Sequence, residues 1–295
     1  MRELGIFNRQ QSIILLSELK MLYVVATPIG NLEDMTHRAT RVLAEVDLIA
    51  CEDTRQTRKL LDHYGIKTAA TSYHEHNEAA RAKELTERMV TGAKIALVTD
   101  AGTPLISDPG FRLVRAALDA GVVVVPIPGV SAVVAALSGA GLGTDQFRFG
   151  GFLPAKQGQR RTALAAVKYE AGTAVFYEAP HRILEALADI EAELGPTRPV
   201  VVARELTKMH EEFIRGTAHE VKRALESKPV IKGEITLLIG KSDSAPEADD
   251  PRPAAEAVAE LERDGMPRMD AVKYVAKARG LPKRDVYREV FGGRA

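Results

Sequence analysis

A chain of 295 residues exceeds one small module, so two or three compact units are expected. Its 45% hydrophobic and 27% charged residues are those of a globular protein and exclude a fibre or a disordered chain. The net charge of +0 hides local imbalance, and Cys51, the sole cysteine, excludes an internal disulfide and fits a reducing, cytoplasmic compartment.

The first apolar run, SIILLSEL, is too short to span a bilayer and lacks a basic stretch followed by a small-residue cleavage site. Ordered patterning starts at Met21, so residues 1–20 read as an N-terminal extension with no assigned role. From there strand, loop and helix repeat. LYVVAT is a continuous, β-branched apolar run, followed by the turn-rich PIGNLED and a helix from about Thr36 to Glu45. DLIAC is a second buried strand that enters EDTRQTRKLLDHYG, spaced as a helix closed by Gly65. KIALVTD, a constrained polar loop, the helix FRLVRAALDA ended by Gly121, and VVVVPIPG follow. Apolar strands alternating with amphipathic helices predict a parallel sheet covered on both faces. In such sheets ligands bind beyond the carboxyl ends of the strands, and TPIGNLED, EDTR, DAGTPLISDPG and PGVSA each follow a strand directly. These four loops are expected to converge on one edge.

A domain boundary is expected near Gly139–Thr144, giving an N-terminal α/β unit over 21–139 and a second α/β unit over 140–241. The polar alternation of EEFIRGT in the second unit predicts a mixed sheet. Residues 242–253, SDSAPEADDPRP, have a linker's composition, and a helical unit over 254–295 follows. In that unit MDAVKYVAKARGLPKRDVYREVF gives two short helices joined at Gly280, Leu281 and Pro282, with Ala276, Gly280 and Val286 at helix-turn-helix spacing. From Gly265 to Ala295 eight Lys and Arg face three Asp and Glu, which suits a nucleic-acid contact.

No G-x-G-x-x-G follows a strand and no G-x-x-x-x-G-K-[ST] is present, which removes the common dinucleotide and P-loop readings. His74 and His76 with Glu75 and Glu78 invite a metal, but no second Cys or His cluster supplies further ligands, so no metal is expected. In DAGTPLISDPG, Gly102 and Gly110 permit close backbone approach, Pro104 and Pro109 stiffen the loop, and Asp108 before Pro109 predicts a helix start with Asp108 as its cap. Asp100, Gly102 and Thr103 have little capping to do and point to a ligand.

Taken in order over roughly Leu22 to Lys241, ATPIGNLED, CEDTR, YHEHN, DAGTPLISDPG, PGVSA, FYEAPHR, ARELTK and KGE resemble the tetrapyrrole methylase superfamily, in its ribosomal RNA branch. The resemblance implies a two-domain α/β tetrapyrrole methylase-like fold with S-adenosylmethionine in a cleft between the domains, a small C-terminal helical domain, and a homodimer. It also implies methylation of a cytidine ribose 2′-oxygen in 16S rRNA of the small ribosomal subunit. Mapped onto this chain, the family's cofactor contacts fall on Pro28, Asp100, Gly102, Thr103, Pro104, Ile106, Ser131, Ala132, Tyr177, Ala203 and Gly233. Many tetrapyrrole-modifying relatives carry G-D-P where this chain has Gly102, Thr103 and Pro104, a departure that weighs against a tetrapyrrole substrate.

Methyl transfer to oxygen needs in-line placement of the hydroxyl, exclusion of water and removal of a proton. Candidate proton acceptors or hydroxyl orienters are Glu52, Asp53 and Glu178, with His74, His76 and His181 as further options; each carboxylate also reads as a helix cap or as an ion-pair partner of Arg55, Arg58 or Arg182. RNA phosphates and sugars are assigned to Arg55, Arg58, Lys59, His74, His76, Lys156, Arg160, Arg161 and Arg182. With 5% aromatic residues and no Trp, recognition by shape and backbone is expected to dominate over base stacking. Two other functions stand beside this one: carbon methylation of a tetrapyrrole by the same cofactor, and a DNA-binding regulator whose α/β region senses a small molecule.

Overall fold

The structure, a computed structural model, describes residues 20–241, 252–279 and 281–292. Residues 1–19 of the expected extension, the linker up to Pro251, and Gly280 lie outside the described residues. The described residues divide into two compact units: one holds those up to Ala135 together with Leu206–Met209, the other Ala136–Glu205 and the described residues from His210 onward.

The first unit is built from β1 (Met21–Val25), α1 (His37–Glu45), β2 (Leu48–Cys51), α2 (Thr54–His63), β3 (Ala70–Ser72), α3 (Glu78–Val90), β4 (Ile95–Leu97), α4 (Phe111–Asp119) and β5 (Val123–Ile127), followed by α5 (Ala132–Ala140). Its sheet has the order β3-β2-β4-β1-β5 and every pair is parallel. Successive residues of a strand point to opposite faces, and here each face has its own core. Leu48, Ala50, Ile95 and Leu97 pack with Leu85, Met89 and Leu113 from α3 and α4. Ile49, Cys51, Ala96 and Val98 pack with Val42, Leu43 and Leu61 from α1 and α2. That double burial is why these strands read as unbroken apolar runs, and each fully buried Leu or Ile contributes about 1.5–3 kcal/mol. Pro126 is tolerated because β5 is an edge strand.

Local chemistry sets the helix ends. Thr36 caps α1 by accepting from the Ala39 N–H at 3.1 Å, and Asp53 caps α2 by accepting from the Arg55 N–H at 2.8 Å. The expectation at Asp108 is corrected: α4 starts at Phe111 with Gly110 as its N-cap at φ 145, and no side chain caps it. Asp108 and Pro109, the two residues that look like a helix start, therefore belong to the loop, where burial holds the Asp108 carboxyl above the usual carboxylate range.

The second unit contains β6 (Phe147–Phe152), α6 (Gln157–Ala165), β7 (Thr173–Glu178), α7 (Ile183–Leu194), β8 (Pro199–Arg204), β9 (Glu212–Thr217), α8 (Ala218–Glu226) and β10 (Ile235–Ile239). The sheet order is β6-β7-β10-β8-β9, with one parallel pair, β6 with β7, and three antiparallel pairs, so it is mixed as expected. Ala174, Phe176, Val200, Val202, Ile235 and Leu237 form its core with α7 and α8. Three more helices, α9 (Ala254–Arg263), α10 (Arg268–Ala278) and α11 (Lys283–Phe291), enclose Val258, Leu261, Val272, Val275, Ala276 and Val286. Ala276 and Val286 are thus buried where helix-turn-helix packing needs them. Tyr169 packs against this cluster, its ring 5.3 Å from that of Tyr274.

Candidate functional site at one sheet edge

All four loops anticipated beyond the strand ends, and a fifth after β3, leave the same edge of the first unit's sheet. The connection from β1 leaves past β4 toward β2, and that from β4 leaves past β1 toward β5. The β1/β4 boundary is therefore the point where chain direction diverges, the position at which open α/β sheets bind ligands.

Hydrogen bonds stitch the loops at that boundary. The Thr27 N–H donates to the Gly102 carbonyl at 2.9 Å and the Gly102 N–H donates to the Thr27 carbonyl at 3.0 Å. The Thr27 hydroxyl donates to the Thr99 carbonyl at 3.1 Å, and the Thr103 hydroxyl to the Val130 carbonyl at 3.0 Å. The loops after β1, β4 and β5 are thereby joined, bringing Pro28, Gly102, Thr103, Pro104, Ile106, Ser131 and Ala132 to one stretch of edge. Gly102 holds φ 84, a left-handed conformation costly for other residues, and Leu105 (φ 73) and Ser107 (φ 67) follow it. A Cβ at Gly129 would lie 2.9 Å from the Ala26 Cβ, so that loop also requires its glycine.

Toward β2 and β3 the edge becomes charged. The Asp53 carboxylate accepts from Arg55 Nε at 3.1 Å and Nη2 at 2.7 Å, and these bonds, with the Arg55 backbone N–H, hold its pKa down at about 2. Asp100 Oδ1 accepts from the Asp53 N–H at 3.1 Å, and Glu52 accepts from the Thr99 hydroxyl at 3.2 Å. Asp108 completes this group. Burial pushes its pKa up to about 6; a hydrogen bond with Thr99 opposes the shift, and the charges of Glu52 and Asp100 add to it. Arg58 lies 3.9 Å from Asp62. After β3, Asn77 Oδ1 accepts from the His74 N–H at 2.9 Å, the Asn77 amide meets His74 Nε2 at 3.2 Å, and the His74 and His76 rings stand 6.0 Å apart. Among the described residues no group of three His, Cys, Asp or Glu is placed to hold a metal.

In the second unit, Thr236 pairs with both Tyr177 and Ala203, so strand alternation sets those two residues on one face. Glu178 points to the opposite, helix-covered face. It is 2% exposed, and its Oε1 accepts from Arg182 Nη2 and from the Ala179 N–H, both at 2.7 Å. Gly233 holds φ 93, and a Cβ there would meet the Glu205 carboxyl group. Arg160 requires a correction. It is 1% exposed and donates to Asp189 at 2.7 Å, so it braces the α6–α7 packing and presents no charge to solvent. Arg161, half exposed, shares Asp189 at 2.8 Å. Sequence reasoning passed over Thr27, Thr99 and Asn77, whose side chains organise the edge; their signal is position, each lying within a few residues of a strand's carboxyl end.

The model of the family described as Tetrapyrrole (Corrin/Porphyrin) Methylases matches residues 21–222. The chain is 48% identical over 274 residues to Ribosomal RNA small subunit methyltransferase I of Halalkalibacterium halodurans, covering 90% of this chain and 93% of that one. It is 46% identical over 268 residues to the protein of the same name in Escherichia coli O157:H7, covering 90% and 93%. Among solved structures, uroporphyrin-III C-methyltransferase from Thermus thermophilus, crystallised with S-adenosyl homocysteine, shares the fold with TM-score 0.52 and 19% identity, over 75% of this chain and 96% of that one.

Proposed function

Because the chain belongs to the tetrapyrrole methylase family, and within it to the ribosomal RNA small subunit methyltransferase I group, we propose that it transfers a methyl group from S-adenosylmethionine to a cytidine ribose 2′-oxygen of 16S rRNA. The kinship over nearly the whole chain carries the substrate, and it does not favour the tetrapyrrole or regulator alternatives.

The edge at β1/β4 fits the cofactor by its own construction. Gly102 and Gly129 keep side chains away from the loops, and the doubly bonded Thr27–Gly102 bridge fixes them before a ligand arrives. Pro28, Asp100, Gly102, Thr103, Pro104, Ile106, Ser131 and Ala132 are the proposed holders in the first unit; Tyr177, Ala203 and Gly233 are the second unit's proposed contributors. When bound, S-adenosylmethionine supplies a methyl already activated by its sulfonium charge. The chain's task is then to align a ribose hydroxyl, exclude water and take its proton.

Of the three candidate carboxylates, Glu52 suits that proton best. Asp53, held near pKa 2 by Arg55, is a weak base and is occupied as a helix cap. Glu178 is paired with Arg182 on the covered face of its sheet. Glu52 lies at the end of β2, beside β4, anchored by Thr99. Forming the bond from the ribose oxygen to the methyl would break the methyl–sulfur bond, leave a neutral thioether, and release the hydroxyl proton, which the Glu52 carboxylate would take. Arg55, Arg58, His74 and His76, around the β2 and β3 ends, position RNA phosphates and sugars, with Arg161 and the helical unit over 254–295 adding contacts, whereas Arg182 is committed to Glu178 on the covered face and is withdrawn from the RNA contacts. A cytoplasmic homodimer completes the proposal, supported by the family resemblance and by Cys51 as a buried free thiol. No helix among the described residues is long and apolar enough to cross a membrane.

The test is methyl transfer from labelled S-adenosylmethionine to naked 16S rRNA, assembled small subunits, uroporphyrinogen and DNA. Label in either RNA-containing substrate is expected. Label in uroporphyrinogen alone rejects the proposal.

A further inference from the structure

The helix α11 carries an exposed face that the packing of its bundle does not use. Val286 is buried, whereas Arg284, Tyr287, Arg288 and Phe291, at positions i, i+3, i+4 and i+7, are all exposed and share one side. Tyr287 and Phe291 are 46% and 38% exposed, and their rings lie against each other, tilted by 32°, with centroids 4.4 Å apart. The Arg268 guanidinium, from the first turn of α10, sits 4.8 Å from the Phe291 centroid. Arg268 approaches Glu262, half-buried, at 3.5 Å and Arg284 approaches Asp285 at 3.6 Å, surface pairs at which ion pairing contributes little. Two aromatic rings this exposed, with one arginine beside them and two more on the same helix side, add only a modest i,i+4 contact to the helix and nothing to the core.

We propose that the Tyr287–Phe291 stack, flanked by Arg268, Arg284 and Arg288, is a platform on which unpaired bases of the RNA substrate stack. The proposal rests on the RNA reading above and deepens it. In a helix-turn-helix the second helix, here α11, enters the major groove of DNA. The major groove of A-form RNA is too deep and narrow for side chains to read, so an RNA-directed version of this motif needs another use for that helix. Stacked aromatics bordered by arginines are the chemistry that grips single-stranded nucleic acid: rings receive the bases and cations receive the phosphates. Base stacking therefore joins backbone contact as a means of recognition, despite the low aromatic content of the whole chain.

The test measures binding of the full chain to three labelled probes of equal length: single-stranded oligoribonucleotide, the same strand with abasic riboses, and duplex RNA. Tyr287→Ala with Phe291→Ala is expected to weaken single-strand binding about tenfold or more. Binding to the abasic strand and the duplex, and the salt slope, should change less than twofold. Tyr287→Phe should retain single-strand affinity, and 2-aminopurine in the strand should lose its fluorescence on the wild type but not on the double variant. Equal losses on base-bearing and abasic strands, or no loss on either, would overturn the platform while leaving methyl transfer to RNA intact. A wild-type chain that neither binds nor methylates RNA overturns the underlying reading and the platform with it.

Discussion

Thr27 and Gly102 exchange two backbone hydrogen bonds, at 2.9 and 3.0 Å, across the place where the connections of β1 and β4 part. Neither residue lies in a strand, so the bridge extends the sheet's order into its loops. It converts two flexible connections into a fixed rim, with the left-handed φ of Gly102 as its condition.

Gly102→Ala tests that condition. A Cβ at this position would meet Ile29 Cγ2 at 3.4 Å, an ordinary contact, so the cost lies in the backbone at φ 84. We expect about 1–2 kcal/mol of lost stability and a weaker Kd for S-adenosylmethionine. Calorimetric titration and urea unfolding measure the two effects. Unchanged cofactor affinity would detach the bridge from binding.

Asp108 predicts a pH dependence of stability. Its folded pKa of about 6 stands above the ordinary aspartate value of 3.8, so the folded chain holds this proton more tightly than the unfolded one. That contribution is full below about pH 4 and is lost as pH rises through about 6. Asp108→Asn should flatten this part of the profile and make the protein roughly 1–2 kcal/mol more stable at pH 7, somewhat under the full equivalent of the shift. Urea unfolding from pH 4 to 7 reads it, and a variant with the wild-type slope would refute the assignment.

Glu52→Gln should lower kcat for RNA methylation by about 100-fold or more with little effect on stability. Asp53→Asn, which keeps a capping side chain, should cost less than tenfold. Single-turnover transfer at saturating substrate separates the two, and the reverse order would move the proton acceptor to Asp53.

Arg160 and Arg161 are neighbours with opposite expectations. Arg160→Ala leaves Asp189 buried beside a missing partner and should cost about 3–5 kcal/mol in thermal or urea unfolding. Arg161→Ala should change stability by less than about 1 kcal/mol and reduce the salt slope of RNA binding by about one. Equal stability losses would make both structural.

Much of this was readable from residue patterns. β1, β2 and β4 announce themselves because both faces are buried, and the loops that follow them stand out as polar, glycine-rich interruptions. β3 does not: Ala70–Ser72 is a three-residue, half-buried edge strand with no apolar run to mark it. Arg160 looked like a surface cation because composition cannot reveal the Asp189 that neutralises it from another helix. Asp108 and Pro109 carry a helix-start pattern, but Gly110 at φ 145 takes the cap position and leaves both in the loop, which a local pattern does not disclose. The opposite facing of Tyr177 and Glu178 follows from strand alternation alone, whereas the Thr27–Gly102 bridge depends on a strand order that loop chemistry does not disclose.

The most direct measurement identifies the atom that receives the methyl group. Small subunits or 16S rRNA treated with the full chain and labelled S-adenosylmethionine would be digested to nucleosides and resolved by mass spectrometry. The account predicts label in a single species, 2′-O-methylcytidine, lost in Glu52→Gln and diminished in Gly102→Ala. Label on a base carbon or nitrogen, or on no nucleoside at all, would contradict it.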